Sequence, residues 1–264
     1  MRSRNAITVL NTPCILTTPD GLAEDLIEWC RGPTESAPLS VDFTNVHIVA
    51  LRTVDRKFYD TTATVDWFVS DSQVLSWAIS LLGQGDHQRV YGPAFMAHFF
   101  NRPASGLSHY FLGASEDCLE KLKANLALAQ PGLKVAGAHH GYFSTSDESA
   151  INDEINRCNP DIVWVGLGTP KQQDWIARNL QNLNCKALLA VGFAFDVNAG
   201  TKKDAPEWLG SLGLTWLYRL LDEPKRLWKR YLVYNSVFLF RLSAQLLRGT
   251  PSSVPPPSST SPDT

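Results

Sequence analysis

The stretch from Asn159 to Gly200 limits what this chain can become more than any other. Asp161-Ile162-Val163-Trp164-Val165 is a short β-rich apolar run, closed by Gly166-Leu167-Gly168-Thr169-Pro170. Lys171 to Leu183 then places Trp175, Ile176, Leu180 and Leu183 at helical spacing. Ala187 to Val191 is a second apolar run, closed by Gly192 and followed by Asp196. Two buried strands joined by a helix form a βαβ unit, whose crossover is almost always right-handed. In such sheets ligands sit at the carboxyl ends of the strands, which is where both loops fall.

The same alternation runs through the chain before this unit. Ile7 to Leu10, Leu39 to Phe43, Val65 to Val69, Tyr110 to Leu112 and Leu133 to Gly137 have strand character. Between them, helices are predicted over Leu22 to Cys30, Val46 to Tyr59, Val74 to Leu82, from Phe95, over Glu116 to Leu128 and over Ser149 to Cys158. Sustained strand–helix alternation predicts an α/β fold with a mostly parallel sheet. It does not give the strand order.

After Gly200 the pattern changes. Trp208 to Leu221 and Glu223 to Leu247 read as helices with no strand between them. Residues 219–248 hold seven basic and two acidic groups, a net +5 that leaves −7 for the rest of a chain whose total is −2. Trp216, Tyr218, Trp228, Tyr231, Tyr234, Phe238 and Phe240 interleave these charges. A basic helix with large aromatics suits an anionic membrane surface. It also suits a helix packed on the sheet by its aromatic face, with its charges solvated. Composition alone leaves both readings open. Gly249 to Thr264 is rich in Pro, Ser and Thr, and is expected to be disordered. The expected organisation is a core over 1–206, a helical appendage over 207–248 that binds membrane and lipid substrate, and a tail over 249–264.

Global composition excludes several classes. With 44% hydrophobic and 19% charged residues and a small net charge, the chain reads as a soluble globule, and nothing global suggests nucleic acid. Its five cysteines are scattered without CxxC spacing, which favours reduced thiols over a disulfide framework or a zinc site. The N-terminus lacks the apolar core of a signal peptide, and no run approaches the roughly 18 apolar residues of a membrane span.

Candidate chemistry gathers at strand ends. Asp71 lies between the strand Val65–Val69 and the helical run from Val74, so Ser70 or Asp71 is a candidate helix cap, a role worth about 1 kcal/mol. Lys171 and Gln172 open a helix whose free N–H groups suit phosphate. Asp196 faces either a ligand or its own loop amides. Gly166, Gly168 and Pro170 form either a ligand loop or a plain tight turn. His139 and His140 invite a metal, but adjacent strand residues point to opposite faces and no third ligand is suitably spaced. There is no GxGxxG for a dinucleotide-dependent oxidoreductase and no Walker A pattern.

Taken in order, HHGYF, INRCNPDIVWVGLGTPKQQDWIARN, VGFAFDVNAG, APEW and GLTWLYRLLDEPKRLWKRYL resemble the WecG/TagA/CpsF glycosyltransferase family, glycosyltransferase family 26. The resemblance runs from roughly Ile7 to Leu247. It implies a Rossmann-like core and an inverting, metal-independent enzyme that uses no cofactor. Such an enzyme moves a sugar, often of N-acetylmannosamine type, from a UDP-sugar to a polyprenyl-diphosphate-linked acceptor for surface polysaccharide. It would work at the cytoplasmic face of the membrane as a peripheral protein, with homo-oligomerisation left open. Asp71 would be the general base. Thr44, Asn45, Arg89, Gly166, Gly168, Pro170, Lys171, Gln172, Phe195 and Asp196 would bind substrate. Arg219, Arg226, Lys229 and Arg230 would bind diphosphate and membrane.

The chain departs from the family pattern at several positions. Ser72 replaces a glycine, Gln173 a glutamate, Asp204 a basic residue and Thr215 a glutamate, while Ala94 stands where an acid is usual. In VDFTN the family threonine falls on Phe43, with Thr44 one position late. These departures bear on donor preference, and the alternative they raise is an inactive homologue that binds a nucleotide-sugar or a partner.

Overall fold

The computed structural model describes residues 5–33, 37–103 and 105–248; the expected disordered tail lies outside them. Eight strands form a single sheet: β1 (Ala6–Val9), β2 (Thr12–Ile15), β3 (Leu39–Thr44), β4 (Trp67–Ser70), β5 (Ser108–Gly113), β6 (Lys134–His139), β7 (Ile162–Gly166) and β8 (Ala187–Ala190). Their order is β1-β2-β4-β3-β8-β7-β5-β6. Among the described residues only β1 and β2 pair antiparallel; every other pair is parallel. This is the mostly parallel α/β sheet that the alternation predicts and the Rossmann-like core that the resemblance implies.

Helices α1 (Pro19–Arg31), α2 (Val46–Val54), α3 (Arg56–Thr61), α4 (Gln73–Leu82), α5 (Gly92–Asn101), α6 (Glu116–Ala129), α7 (Glu148–Cys158), α8 (Lys171–Asn179) and α9 (Ala194–Asn198) flank the sheet. Central strands are buried on both faces, so they read as unbroken apolar runs. Along β7, Ile162 and Trp164 face the layer of α1, α5 and α6, while Val163 and Val165 face α7 and α8. Cys14 and Phe68 join Val46 and Val49 of α2 and Leu75 and Ile79 of α4 in a further cluster.

Before residue 206, three elements differ from the sequence reading. The strand β2 contains Pro13 and is four residues long, so it gives almost no pattern; a turn with Leu10 at φ 58° folds it back on β1. The predicted helix over Val46 to Tyr59 breaks at Asp55, whose side chain accepts from Phe58 N–H and starts α3. The loop expected around Asp196 is the short helix α9.

After residue 206 the chain holds helices and no strand: α10 (Glu207–Ser211), α11 (Thr215–Asp222), α12 (Pro224–Trp228), a π-helical turn over Lys229–Val233, and α13 (Tyr234–Arg248). The helix expected over Trp208 to Leu221 breaks at 212–214, where Gly213 takes φ 71°. The packed-helix reading describes one side of α13. Its Phe238 and Leu242 are buried in the cluster with α2 and α4, and Gln245 brackets Leu10 N–H and Thr8 C=O at 2.8 and 2.9 Å. Phe240 and Leu247, on its other side, are 78% and 88% exposed.

Where β5 and β7 end, their backbones touch. Gly113 has φ +142°, and a Cβ there would lie 2.4 Å from the Gly166 carbonyl oxygen. Gly113→Ala therefore combines backbone strain with a backbone clash, and is expected to cost about 1–3 kcal/mol or more, read as a lower urea midpoint at unchanged slope.

Candidate active site

Strand order reverses where β3 adjoins β8, and a cavity of about 360 Å³ opens there at the carboxyl ends of the parallel strands. Its floor comes from the loops after β5, β7 and β8, including Ala114, Gly166, Gly168 and Gly192. Asn45 and Asp71, from the ends of β3 and β4, form one wall. Arg219, Arg226 and Arg230 close it from the C-terminal helices, with Lys202 beside them. Against these four cations stand the carboxylates of Asp71 and Asp196. The surplus of positive charge matches a diphosphate.

Asp71 is positioned by three backbone contacts. Its N–H donates to Thr44 C=O at 2.8 Å, its own C=O accepts from Arg89 Nε at 2.9 Å, and its Oδ1 accepts from Gly92 N–H at 2.8 Å. Gly92 is the first residue of α5, so the carboxylate sits at the positive end of that helix. The cap of α4 falls on Ser72, whose Oγ accepts from Leu75 N–H, and not on Ser70 or Asp71. Asp71 therefore does not cap α4. Burial raises its pKa; the Gly92 N–H and the charges of Arg89, Arg219 and Arg230 act against that rise.

A second cavity of about 390 Å³ meets the first at Asp71. The two share Asn45, Asp71, Tyr91, Arg219 and Arg230, but the second is largely apolar, with Val46, Val74, Trp216, Phe238 and Leu239 on its walls. The π-helical turn lies here, carrying Arg230 and Tyr231 to the cavity; such a turn widens the helix locally and is frequent at functional sites.

The residues singled out in the sequence divide between wall and support. Asn45, Asp71, Gly166, Gly168, Gln172, Asp196, Arg219, Arg226 and Arg230 line the first cavity. Asn45 also caps α2 through Oδ1. Gln172 Oε1 accepts from Gly168 N–H at 3.1 Å and so shapes the glycine loop. Arg219 stacks on Phe193 at 3.9 Å, and Glu223 holds both Lys202 and Arg226.

Other expected contacts lie off that wall. Phe195 is fully buried beneath Gly166, where a Cβ would meet its ring at 2.7 Å, so it packs under the floor and is not on the wall. Thr44 is fully buried and donates to Asp42. Lys171 Nζ is taken by the carbonyls of Gly141 and Phe143 at 2.7 and 3.3 Å, tying down the neighbouring loop. Pro170, joined to Thr169 by a cis peptide bond, is not on the wall. Arg89 lines the second cavity and stacks on Tyr91 at 4.2 Å. Lys229 lines neither cavity.

Tyr91, Tyr142 and Lys202 line the first cavity without having been singled out. Tyr91 donates to Asp204 at 2.7 Å, which gives that departure from the family pattern a local partner. Tyr142 is 77% exposed at the rim. The rings of His139 and His140 meet with centroids 4.6 Å apart and planes tilted by 47°, and among the described residues no group of three His, Cys, Asp or Glu side chains converges.

The fold and this site define a doubly wound α/β protein with a cation-lined cleft and a carboxylate at its edge, an arrangement suited to group transfer from a phosphorylated substrate. The profile of the Glycosyl transferase WecG/TagA/CpsF family matches residues 7–252, and the chain belongs to that family of glycosyltransferases. Among its relatives is the N-acetylglucosaminyldiphosphoundecaprenol N-acetyl-beta-D-mannosaminyltransferase of Bacillus subtilis (strain 168). It is 30% identical over 194 residues, covering 73% of this chain and 74% of the relative. The protein of the same name from Staphylococcus aureus (strain MRSA252) is 28% identical over 202 residues, covering 75% and 77%.

The departure at Gln173 also has a local cause. Gln173 Nε2 donates to Asp42 Oδ2 at 2.7 Å in the interior. Burial pushes the Asp42 carboxyl up to about 6, against hydrogen bonds from Thr44 and Gln173 and the charge of Arg52, with Asp71 adding to the rise. A glutamate at 173 would set two carboxylates together, and they would share one proton. The folded pair would then hold that proton more tightly than the unfolded chain does, so stability falls as pH rises through the raised value. Gln173→Glu is expected to unfold at a lower temperature than wild type at pH 8, with a gap that narrows at pH 5.

Proposed function

We propose that this protein transfers a sugar from a UDP-sugar to a polyprenyl-diphosphate-linked acceptor, with inversion at the anomeric carbon and without a metal. The observation that carries the reading is the place of Asp71, held by Gly92 N–H where a cation-lined cavity meets an apolar one. In this reading the donor occupies the first cavity, its diphosphate among Lys202, Arg219, Arg226 and Arg230. The exposed ring of Tyr142 offers a flat face to the base. The acceptor enters through the apolar cavity. Asp71 takes the proton of the acceptor hydroxyl as that oxygen bonds to the anomeric carbon and the carbon–phosphate oxygen bond breaks. The arginines then stabilise the charge that develops on the leaving UDP. The names of the two relatives make N-acetylmannosamine the first donor sugar to test and diphosphate-linked N-acetylglucosamine the first acceptor.

Asp71→Asn keeps the shape and the Gly92 contact but cannot accept the proton. Transfer should fall about 10²–10⁴-fold in folded protein, measured by UDP release over a panel of UDP-sugars with lipid-linked acceptor supplied. Because burial raises the pKa of Asp71, wild-type kcat/KM should decline on the acid side at a pH above that of an ordinary aspartate. Unchanged transfer by the variant would remove Asp71 from the base role.

The same reading places the protein on an anionic membrane surface. Among the described residues no helix is long and apolar enough to cross a membrane. Trp228, Phe240 and Leu247 are exposed on the basic C-terminal helices, and rings and cations so arranged suit the headgroup region. Removing α13 would uncover its buried face, so surface substitutions are the cleaner probe. Phe240→Ser combined with Leu247→Ser should weaken flotation with phosphatidylglycerol vesicles while leaving the thermal midpoint near wild type. The remaining binding should be more salt-sensitive.

A further inference from the structure

Asp42 is 1% exposed, and among the described residues no cation makes an ion pair with it. Its two oxygens are held instead by neutral donors from opposite sides of the cleft. Oδ1 accepts from the Thr44 hydroxyl and Oδ2 from Gln173 Nε2. Each donor leads to one wall. The Thr44 carbonyl accepts the Asp71 N–H, and Asn45 follows Thr44 directly. Gln173 lies in the first turn of α8, also reaches Thr169 Oγ1 at 3.3 Å, and adjoins Gln172, which shapes the Gly168 loop. The clasp spans β8, which lies between β3 and β7 in the sheet.

We infer that Asp42 is a positioning residue for transfer, holding the wall that carries Asp71 in register with the Gly166–Gln172 loop. A buried carboxylate is costly to keep, and an apolar residue could fill its place in the core. What the carboxylate adds is two hydrogen bonds of fixed direction between segments far apart in sequence. Misplacement of reacting groups by about 1 Å can cost 10²-fold in rate. The inference rests on the reading of Asp71 as the base.

Asp42→Asn and Asp42→Ala separate the clasp from the charge. Asparagine can accept from Gln173 and donate to Thr44 Oγ1, so it keeps both links; alanine keeps neither. With UDP-N-acetylmannosamine and a short-chain polyprenyl-diphosphate-N-acetylglucosamine, Asp42→Ala should lower kcat about 10- to 100-fold with donor KM changed less than about threefold. Asp42→Asn should return kcat to within about threefold of wild type. A ligand-free measurement stands beside the kinetics. Hydrogen exchange in peptides covering 166–172 and 71–76 should quicken together in Asp42→Ala and in neither segment in Asp42→Asn. Wild-type kcat in Asp42→Ala, equal impairment of the two variants, or unchanged exchange in both peptides of Asp42→Ala would each overturn the inference. Asp71→Asn in the same assay reports on the base reading alone, and the exchange measurement does not depend on that reading.

Discussion

Parallel strands release the chain at one edge of the sheet, and most features of this protein follow from that constraint. Each strand from β3 onward delivers its successor at the same edge, while the crossovers carry the chain back behind it. The result is a row of loops and helix starts that cannot pack on one another completely. Where the order reverses between β3 and β8 the loops diverge, and the cavity is the space left over. The glycines there answer to the crowding beneath. Gly113 and Gly166 let two backbones meet, and Gly166 leaves room for the Phe195 ring below.

The sheet alone does not complete the site. Three of the four cations facing the cavity come from the helices after residue 206. They are held by contacts with the rest of the protein, such as Arg219 on Phe193 and Glu223 between Lys202 and Arg226. The last of those helices is anchored by Phe238, Leu242 and Gln245, so the basic segment is at once a wall of the cavity and an exposed surface. Interior polarity runs the other way: Asp42 is a carboxylate tied by neutral donors, placed where an apolar residue could have filled the space.

Much of the fold was legible in the chain because strands buried on both faces must be apolar throughout, and the helices between them show one apolar stripe. The antiparallel β2 escaped notice because four residues including a proline carry no period. Helix boundaries shifted where one side chain decided them: Ser72 caps α4 although Ser70 and Asp71 stand beside it. Of the site, residues at strand ends before helices could be found, Asp71 and Asn45 among them. That Thr44, Phe195 and Lys171 turn away from the cavity wall was not legible, since residue type does not say which way a side chain turns. Tyr91 and Lys202 gave no local signal, because Tyr91 is placed by Asp204, 113 residues away, and Lys202 by Glu223 in the C-terminal segment.

By itself, the chain determined that βαβ units would form, that their loops would share an edge, and that a basic aromatic segment would follow them. These are local properties, set by periodicity, turn chemistry and charge count. Tertiary structure decided which donors face the cleft and which brace it. It put Asp71 beside Gly92 and Asp42 between Thr44 and Gln173, and it turned one side of α13 inward and the other to solvent. The reason is that such choices depend on direction across the sheet, and direction is settled only when distant strands and helices have packed.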